Sequence, residues 1–401
     1  MDGTGDPGSL VLRGAGQLRS QHQHLGGALV AAADLDAALL GGPDVGVRAA
    51  QHPAGALGAW TSLDSPAICI PDGTRRLDLV SALKALDERL PNRVPIVVGL
   101  GLHRRMTEAE LSSIAGFEPI QHDPDDVSAT SVVDGIQGAV SRPVAESPYA
   151  IAVGVVELHQ YAGVSGGHKA VAVGCGGRQT IAALHHRDRI LAPQVEIGRI
   201  AGNPFRATIE ALGEAARCRL ALVWVPAVGV WMFGSPKAVV RAALRRMDPW
   251  IWQSRRAPGA ILEVSEEKAI SLYQASRAAS YLALSPRPPL SEGATIVLRA
   301  ACPDGLGAEA GFVQALHDHR PPWTALLEGP PPAGAGAQRA VILALMARRY
   351  RLVVEGCQDP APFRDVGIEA HTVPSERPAT WLRVARPFQQ IPQLAAPPAK
   401  D

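Results

Sequence analysis

At 401 residues and a formal net charge of +1, the chain has room for two or three domains with sizeable cores, and no charge excess draws it to nucleic acid or an anionic membrane. Aromatic residues make up 4% of it, too few for a platform that stacks single strands. The five cysteines, Cys69, Cys175, Cys218, Cys302 and Cys357, never fall as CxxC, which fits a reducing cytosol better than a disulfide framework or a thiolate zinc site.

The first residues, Met1 to Asp6, show no basic region followed by an apolar one, so no secretory signal is expected and the location expected is cytoplasmic. Residues 1–25 are rich in Gly, Ser and Gln and read as irregular, with His22 and His24 as a loose surface pair. A helix is expected over Ala33 to Leu40, stopped by Gly41-Gly-Pro43. Pro66 to Ile70 reads as a buried strand running into Asp72-Gly-Thr-Arg75. Asp78 to Leu90 has helical spacing, with Leu79, Leu83, Leu86 and Leu90 on one face. Val94 to Leu100 is the next strand and delivers His103, and Thr107 to Glu110 matches a capping box. Gln121 to Asp126 is a polar turn before an edge segment, Ser128 to Val133.

Tyr149 to Val156 is a continuous apolar run and reads as a buried parallel strand. It empties into His159, a glycine-rich bend (Gly163, Gly166, Gly167) and Lys169, and the helix Arg178 to Leu184 then ends near His185. The bend is no P-loop, because Lys169 follows His168 and precedes Ala170, and its glycines do not fall as GxGxxG. Strand, polar loop and helix repeat, which predicts a largely parallel sheet with ligands outside the carboxyl ends of its strands. Asp72 to Arg75, His103 and His159 to Lys169 then share one rim.

Leu220 to Pro236, broken by Pro226, Gly229 and Gly234, reads as two core strands joined by a turn rather than a membrane span. Ile200 to Phe205 is read as a turn and Ala207 to Arg217 as a helix. Pro249 to Gly259 turns irregular and suggests a domain crossing. Beyond it come a helix over Glu266 to Leu284, a strand over Ala294 to Ala300, a helix over Gln338 to Tyr350 and a strand over Arg351 to Glu355. The domains expected are an irregular 1–25, an N-terminal α/β domain over 26–260, a C-terminal α/β domain over 261–388, and a tail over 389–401.

Taken together, the motifs resemble the lactate racemase family that uses the nickel-pincer nucleotide. The resemblance runs in one order from about residue 60 to 310: Asp72-Gly-Thr-Arg75, Gly101-Leu-His-Arg104, Gln121-His-Asp-Pro124, His159 through Ser165-Gly-Gly to Lys169, His185, Gly202-Asn-Pro204, Tyr273-Gln274 with Arg277, and Asp304 to Gly307. It implies two α/β domains with the active site in the cleft between them, and a pyridinium mononucleotide tethered to Lys169 whose nickel takes His185 as its protein ligand. Asp72, Gly73, Thr74 and Arg75 would contact the nucleotide, and Arg75 would also approach the substrate. His103 and His159 would be the two acid/base residues for a 2-hydroxy acid, with Tyr273, Gln274 and Arg277 binding it. Soft sulfur donors with one imidazole suit nickel. Separate biosynthetic proteins would be needed as partners to load the cofactor.

Three positions depart from the family pattern: Arg277 stands where Lys is usual, His168 where Arg is common, and Leu102 where a small polar residue is frequent. A bulkier 2-hydroxy acid or an aldonate-type sugar acid is as compatible with them as lactate. His122, His168 and His186 read as structural, Asp123 and Asp126 as turn caps, and Tyr273 as core packing or site. Two other classes stay open at this stage. One is a nicotinamide-dependent 2-hydroxyacid oxidoreductase, which the missing GxGxxG disfavours. The other is a catalytically silent binding protein of the same fold.

Overall fold

A computed structural model describes residues 46–395 other than Pro322 and Ala335. The segment 1–25, with His22 and His24, and the helix expected over Ala33 to Leu40 lie outside the described residues. The chain divides into two compact units between Pro249 and Trp250.

The first unit begins with β1 (Arg48–Ala50), α1 (Pro53–Leu57), β2 (Ala67–Pro71), α2 (Leu79–Asp87), β3 (Ile96–Gly99), α3 (Glu108–Ser112) and β4 (Ile120–Gln121). The local signals for the helices operate as expected. Asp78 takes the Ser81 N–H at 3.0 Å to start α2. At α3 the capping box closes, with the Glu110 N–H donating to the Thr107 hydroxyl at 3.3 Å and the Thr107 N–H to the Glu110 carboxylate at 2.7 Å. β5 (Val127–Val133) and β6 (Ile136–Ser141) form an antiparallel hairpin. Its turn, Asp134-Gly135, has positive φ at both residues, as a type I′ turn requires.

After α4 (Arg142–Glu146) comes β7 (Ala150–Val155), buried at every residue. The short strands β8 (Leu158–His159) and β9 (Gly163–Val164) pair antiparallel, and a π-helical turn follows at Ala170–Gly174. α5 (Arg178–Leu184), α6 (Arg187–Ile190), α7 (Pro204–Ala215), β10 (Cys218–Val225), β11 (Val230–Gly234) and α8 (Pro236–Met247) complete the unit. α7 starts within the turn expected over Ile200 to Phe205. The reason is local: the Arg206 N–H donates to the Asn203 side chain at 3.1 Å, and Pro204 opens the helix.

Strand order in the main sheet is β1-β11-β10-β7-β2-β3-β4. β10, β7, β2, β3 and β4 run parallel, and β11 and β1 add an antiparallel edge. Ile68, Ile70, Val98, Ile151 and Val153 are all at most 2% exposed. Each such burial contributes roughly 1.5–3 kcal/mol. The chain leaves β2 for β3 and β4 on one side, then returns to lay β7 on the other. The boundary between β2 and β7 is therefore a topological switch point, the place in an open α/β sheet where ligands generally bind.

The second unit holds β12 (Trp250–Gln253), β13 (Ala257–Glu263), α9 (Leu272–Ala283), β14 (Leu290–Arg299), α10 (Ala310–Asp318), α11 (Ala325–Glu328) and α12 (Ala337–Ala347). It ends with β15 (Arg351–Glu355), α13 (Ala361–Asp365), β16 (Glu369–His371), β17 (Leu382–Val384) and β18 (Ile391–Leu394). Its five-stranded sheet, β16-β15-β14-β13-β17, is parallel throughout. Two expectations are corrected here. Trp250 to Gln253, read as irregular, pairs as β12 with β18, so residues read as part of a tail form a strand with Ile391 and Gln393 buried. α9 starts at Leu272 rather than Glu266, because the Ser271 hydroxyl takes the Gln274 N–H at 3.4 Å. Among the described residues no helix is long and apolar enough to cross a membrane.

Candidate active site

The switch point brings the polar loops together. β2 ends at Pro71 and its exit loop folds back at once, with the Thr74 N–H and hydroxyl donating to Asp72 Oδ1 at 3.1 and 2.6 Å. The other carboxylate oxygen, Oδ2, faces His103 Nδ1 at 2.7 Å. Burial pushes the Asp72 carboxyl up, but the bonds from His103 and Thr74 and the Arg75 charge overcome it and hold the group well below the usual carboxylate range. An ionised carboxylate only accepts, so Nδ1 of His103 is the donor and Nε2 keeps a basic lone pair. From the same loop Arg75 reaches across the switch point and pairs with Glu157, at the exit of β7. Glu157 is not among the candidates the sequence singles out for the site; its one signal is its place at that strand exit. Gly73 lies against the Glu110 carboxylate, which a Cβ there would meet at 3.4 Å.

His159 sits on β8 and is buried. Its Nδ1 accepts from the N–H groups of Tyr161 and Ala162 at 3.3 and 3.2 Å. Gly163 turns the chain at φ +74°, where a Cβ would stand 2.1 Å from the Arg199 carbonyl oxygen. The Ser165 hydroxyl donates to the Val155 carbonyl at 2.8 Å and ties the bend back to its strand. Lys169 then leads into the π-turn, which is threaded against the exit of β3: the Gly101 N–H donates to the Gly174 carbonyl at 2.7 Å, and Gly99 faces Gly174 with no side chain between. Absence of side chains at Gly99 and Gly174 is what lets the His103 and Lys169 loops lie so close.

At the end of α5, His185 Nδ1 donates to the Ile181 carbonyl at 2.9 Å. Its ring is flanked edge-on by Tyr161 and Phe205 at 5.9 and 5.4 Å. Burial pushes the imidazole down to about 4, against the Ile181 bond and helped by the Lys169 charge. His185 is thus neutral at pH 7 and presents Nε2, the form in which imidazole binds a metal, with its other nitrogen fixed by a main-chain carbonyl. Among the described residues no three His, Cys, Asp or Glu side chains could hold a metal together. A metal on His185 would therefore need donors supplied by a bound group, which fits a cofactor that carries its own.

Three further histidines, His122, His168 and His186, engage the surrounding fold. His122 Nε2 donates to the Gly176 carbonyl at 2.9 Å, and His186 accepts the Asp188 N–H at the start of α6. Asp123 takes the Asp125 N–H, while Asp126 pairs with Arg142. His168 fills a hole left by Gly213 in α7, where a Cβ would stand 2.5 Å from its own Cβ. Gly213→Ala is expected to lower stability by about 2 kcal/mol through overpacking, and His168→Gly, which removes the clashing Cβ, to recover part of that loss; denaturant midpoints of the double-mutant cycle check the coupling.

Burial, with Arg206 nearby, pushes His168 down to about 4 from its ordinary 6.5. The unfolded chain therefore binds a proton at His168 before the folded chain does. The stability held in this neutral ring is complete above pH 6.5 and is lost as pH falls toward 4, up to about 3 kcal/mol. In His168→Leu the acid-side decline in denaturant midpoint between pH 6.5 and 4 should flatten.

In the second unit, α9 presents Gln274, Arg277 and Tyr281 at helical spacing. Arg277 donates to Gln274 Oε1 at 3.1 Å and to the Tyr281 hydroxyl at 3.3 Å. The loop after β14 docks the start of α9, the Leu272 and Tyr273 N–H groups donating to the carbonyls of Gly305 and Leu306 at 2.9 and 3.0 Å. Tyr273 packs edge-on against Phe312 at 5.4 Å, and burial raises its phenol above the ordinary range.

Residues 58–198 match the family described as lactate racemase N-terminal domain. A lactate racemase of Lactiplantibacillus plantarum is 25% identical over 246 residues, 56% of this chain and 56% of that protein, so the match spans about half of its length. Among solved structures, the lactate racemase apoprotein of Thermoanaerobacterium thermosaccharolyticum superposes with a TM-score of 0.72 at 17% identity, covering 86% of this chain and 94% of that one. A Thermotoga maritima protein reaches 0.65 at 15% identity, over 86% and 96% of the two chains. At those identities the structures speak for the fold, while the domain that bears the switch-point loops is matched by sequence. The likeness to lactate racemases is thus carried by sequence over residues 58–198 and by fold over most of the chain.

Proposed function

We propose that the protein is a racemase or epimerase of a small 2-hydroxy acid that works with a nickel-pincer nucleotide tethered to Lys169. The observation that carries this reading is His185, a neutral ring with Nδ1 committed to Ile181 and Lys169 close enough to lower its basicity. His185 would be the protein ligand to nickel. When bound, the group supplies a hydride acceptor and donor for C2 of the substrate.

The chain's own residues do the rest. His103, oriented by Asp72, takes the hydroxyl proton on Nε2 and returns it, and His159 meets the same oxygen in a buried setting. Both oxygens of Asp72 are already engaged by Thr74 and His103, so in this reading its part is to hold His103. Arg75 supplies a cation for anionic groups at the switch point, and Arg277, held by Gln274 and Tyr281, presents a planar fork suited to a carboxylate. Water exclusion by the buried bend protects the 2-oxo intermediate.

The test is chiral analysis of single-enantiomer, C2-deuterated 2-hydroxy acids incubated with protein co-produced with the cofactor-making proteins and nickel. Inversion with deuterium retained at C2 is expected, because the hydrogen leaves and returns without meeting solvent. Inversion with deuterium lost to water would contradict the hydride route, and no inversion of any 2-hydroxy acid would contradict the function.

A further inference from the structure

Between β3 and α3 the chain runs from Leu100 to Thr107, and His103 stands near the middle of that loop. At its start the loop is tied to the π-turn, the Gly101 N–H donating to the Gly174 carbonyl at 2.7 Å. At its far end the tie is a side chain from another strand. Gln121, the last residue of β4, bonds both polar groups of the Met106 main chain. The Met106 N–H donates to Gln121 Oε1 at 2.7 Å, and Gln121 Nε2 donates to the Met106 carbonyl at 3.1 Å. A primary amide carries a donor and an acceptor side by side, as a peptide unit does, so it closes the same kind of two-bond ring as a hydrogen-bonded pair in an antiparallel ladder. Both bonds hold in only one of the two amide orientations, which fixes which atom is oxygen and which nitrogen. One side chain thus gives the Met106 segment the pairing that a further strand would have given it.

The tie stands on a stiff support. β4 runs parallel to β3 with Gln121 in register with Val98, and the His122 N–H extends the ladder by donating to the Val98 carbonyl at 3.1 Å. The sheet that launches the loop at Gly99 therefore also catches it at Met106. Met106 in turn lies under the Asp72 loop, for a Cβ on Gly73 would meet its Cε at 3.8 Å. The Asp72–His103 bond, 2.7 Å long, joins two loops that both pack at the residue Gln121 holds.

We propose that Gln121 is a positioning residue for the reaction: its amide sets the reach of the loop that carries His103, and with it the alignment of the Asp72–His103 pair on the substrate hydroxyl. The proposal rests on the racemase reading and adds a residue to it. Gln121 acts through Met106 and His103. Proton transfer is steep in distance, and a catalytic group displaced by about 1 Å can lose on the order of 100-fold in rate.

The experiment uses Gln121→Met, which keeps the length of the side chain and removes both polar ends. Gln121→Glu stands beside it, keeping the acceptor for the Met106 N–H and giving up the donor. In the unloaded full chain, the Met106 N–H should exchange with solvent at least about tenfold faster in Gln121→Met, while the Gly101 N–H keeps its parental rate. On protein co-produced with the cofactor-making proteins and nickel, turnover is expressed per bound nickel. Gln121→Met should lose roughly 10- to 100-fold in kcat per nickel, with KM within about threefold and with nickel content and adduct mass at parental values. Gln121→Glu should fall between it and the parent. A merely structural role would lower melting temperature and nickel content together and leave kcat per nickel unchanged. Parental kcat per nickel in Gln121→Met, or an unchanged exchange rate at Met106, overturns the proposal. Should Gln121→Met fail to fold, parental kcat per nickel in Gln121→Glu overturns it equally. If the unsubstituted protein inverts no 2-hydroxy acid, it is the racemase reading that fails, and the exchange arm still decides whether Gln121 holds the loop.

Discussion

Lys169→Ala is expected to fold like the parent chain, to acquire no nucleotide adduct and to racemise at background level. The lysine stands between a bend built for backbone reasons and the π-turn. Gly166 and Gly167 before it have positive φ, where a Cβ would come within 2.9 Å of Val156 and Val240 respectively. His168 anchors the other side in the hole at Gly213. The Lys169 side chain makes no capping bond to the turn it opens. The close packing at Gly166, Gly167 and Gly213 does not depend on the amine. Lys169→Arg separates the two ways in which the amine could act, because it keeps the charge beside His185 but offers no primary amine for a covalent tether. It should be as empty as Lys169→Ala in intact mass, with a circular dichroism melt close to that of the parent.

Asp72→Asn carries the second large effect. Its carboxylate fixes the His103 tautomer, and an asparagine can turn its NH2 toward Nδ1 and stabilise the ring with the proton on Nε2, where a base needs a lone pair. A loss in kcat on the order of 10²- to 10⁴-fold is expected, the scale of a lost general base. Adduct mass and nickel content should stay at parental values, because Lys169 and His185 are untouched. A fall in nickel content equal to the fall in rate would instead make Asp72 a cofactor contact, which is the role first suggested by its place in the Asp72 to Arg75 motif.

Which features were legible in the sequence follows from how local they are. The helix at Leu79–Asp87, the Thr107 capping box and the buried run Ala150–Val155 announce themselves through spacing and caps a few residues long. The rim shared by Asp72, His103 and His159 to Lys169 followed from the strand–loop–helix rhythm alone, since parallel strands must all empty on one side. What could not be read depends on partners distant in sequence. The pairing of Trp250–Gln253 with Ile391–Leu394 joins residues 141 apart, and neither segment shows alternation of its own. The Arg75–Glu157 pair exists because β7 lies beside β2, and the Asp72–His103 bond because β3 lies on the other side of β2. His185 was identified by resemblance, whereas the bond from its Nδ1 to Ile181 is a consequence of helix geometry at the end of α5.

The central claim is that Lys169 and His185 together hold a nickel-bearing nucleotide. Its most direct measurement is the intact mass of the chain co-produced with cofactor-making proteins and nickel, followed by digestion mapping and metal analysis. A mononucleotide-sized adduct on Lys169, with about one nickel per chain that is lost in His185→Ala, is the predicted result. An unmodified Lys169 and no nickel, under conditions that load a known member of the family, would contradict the account.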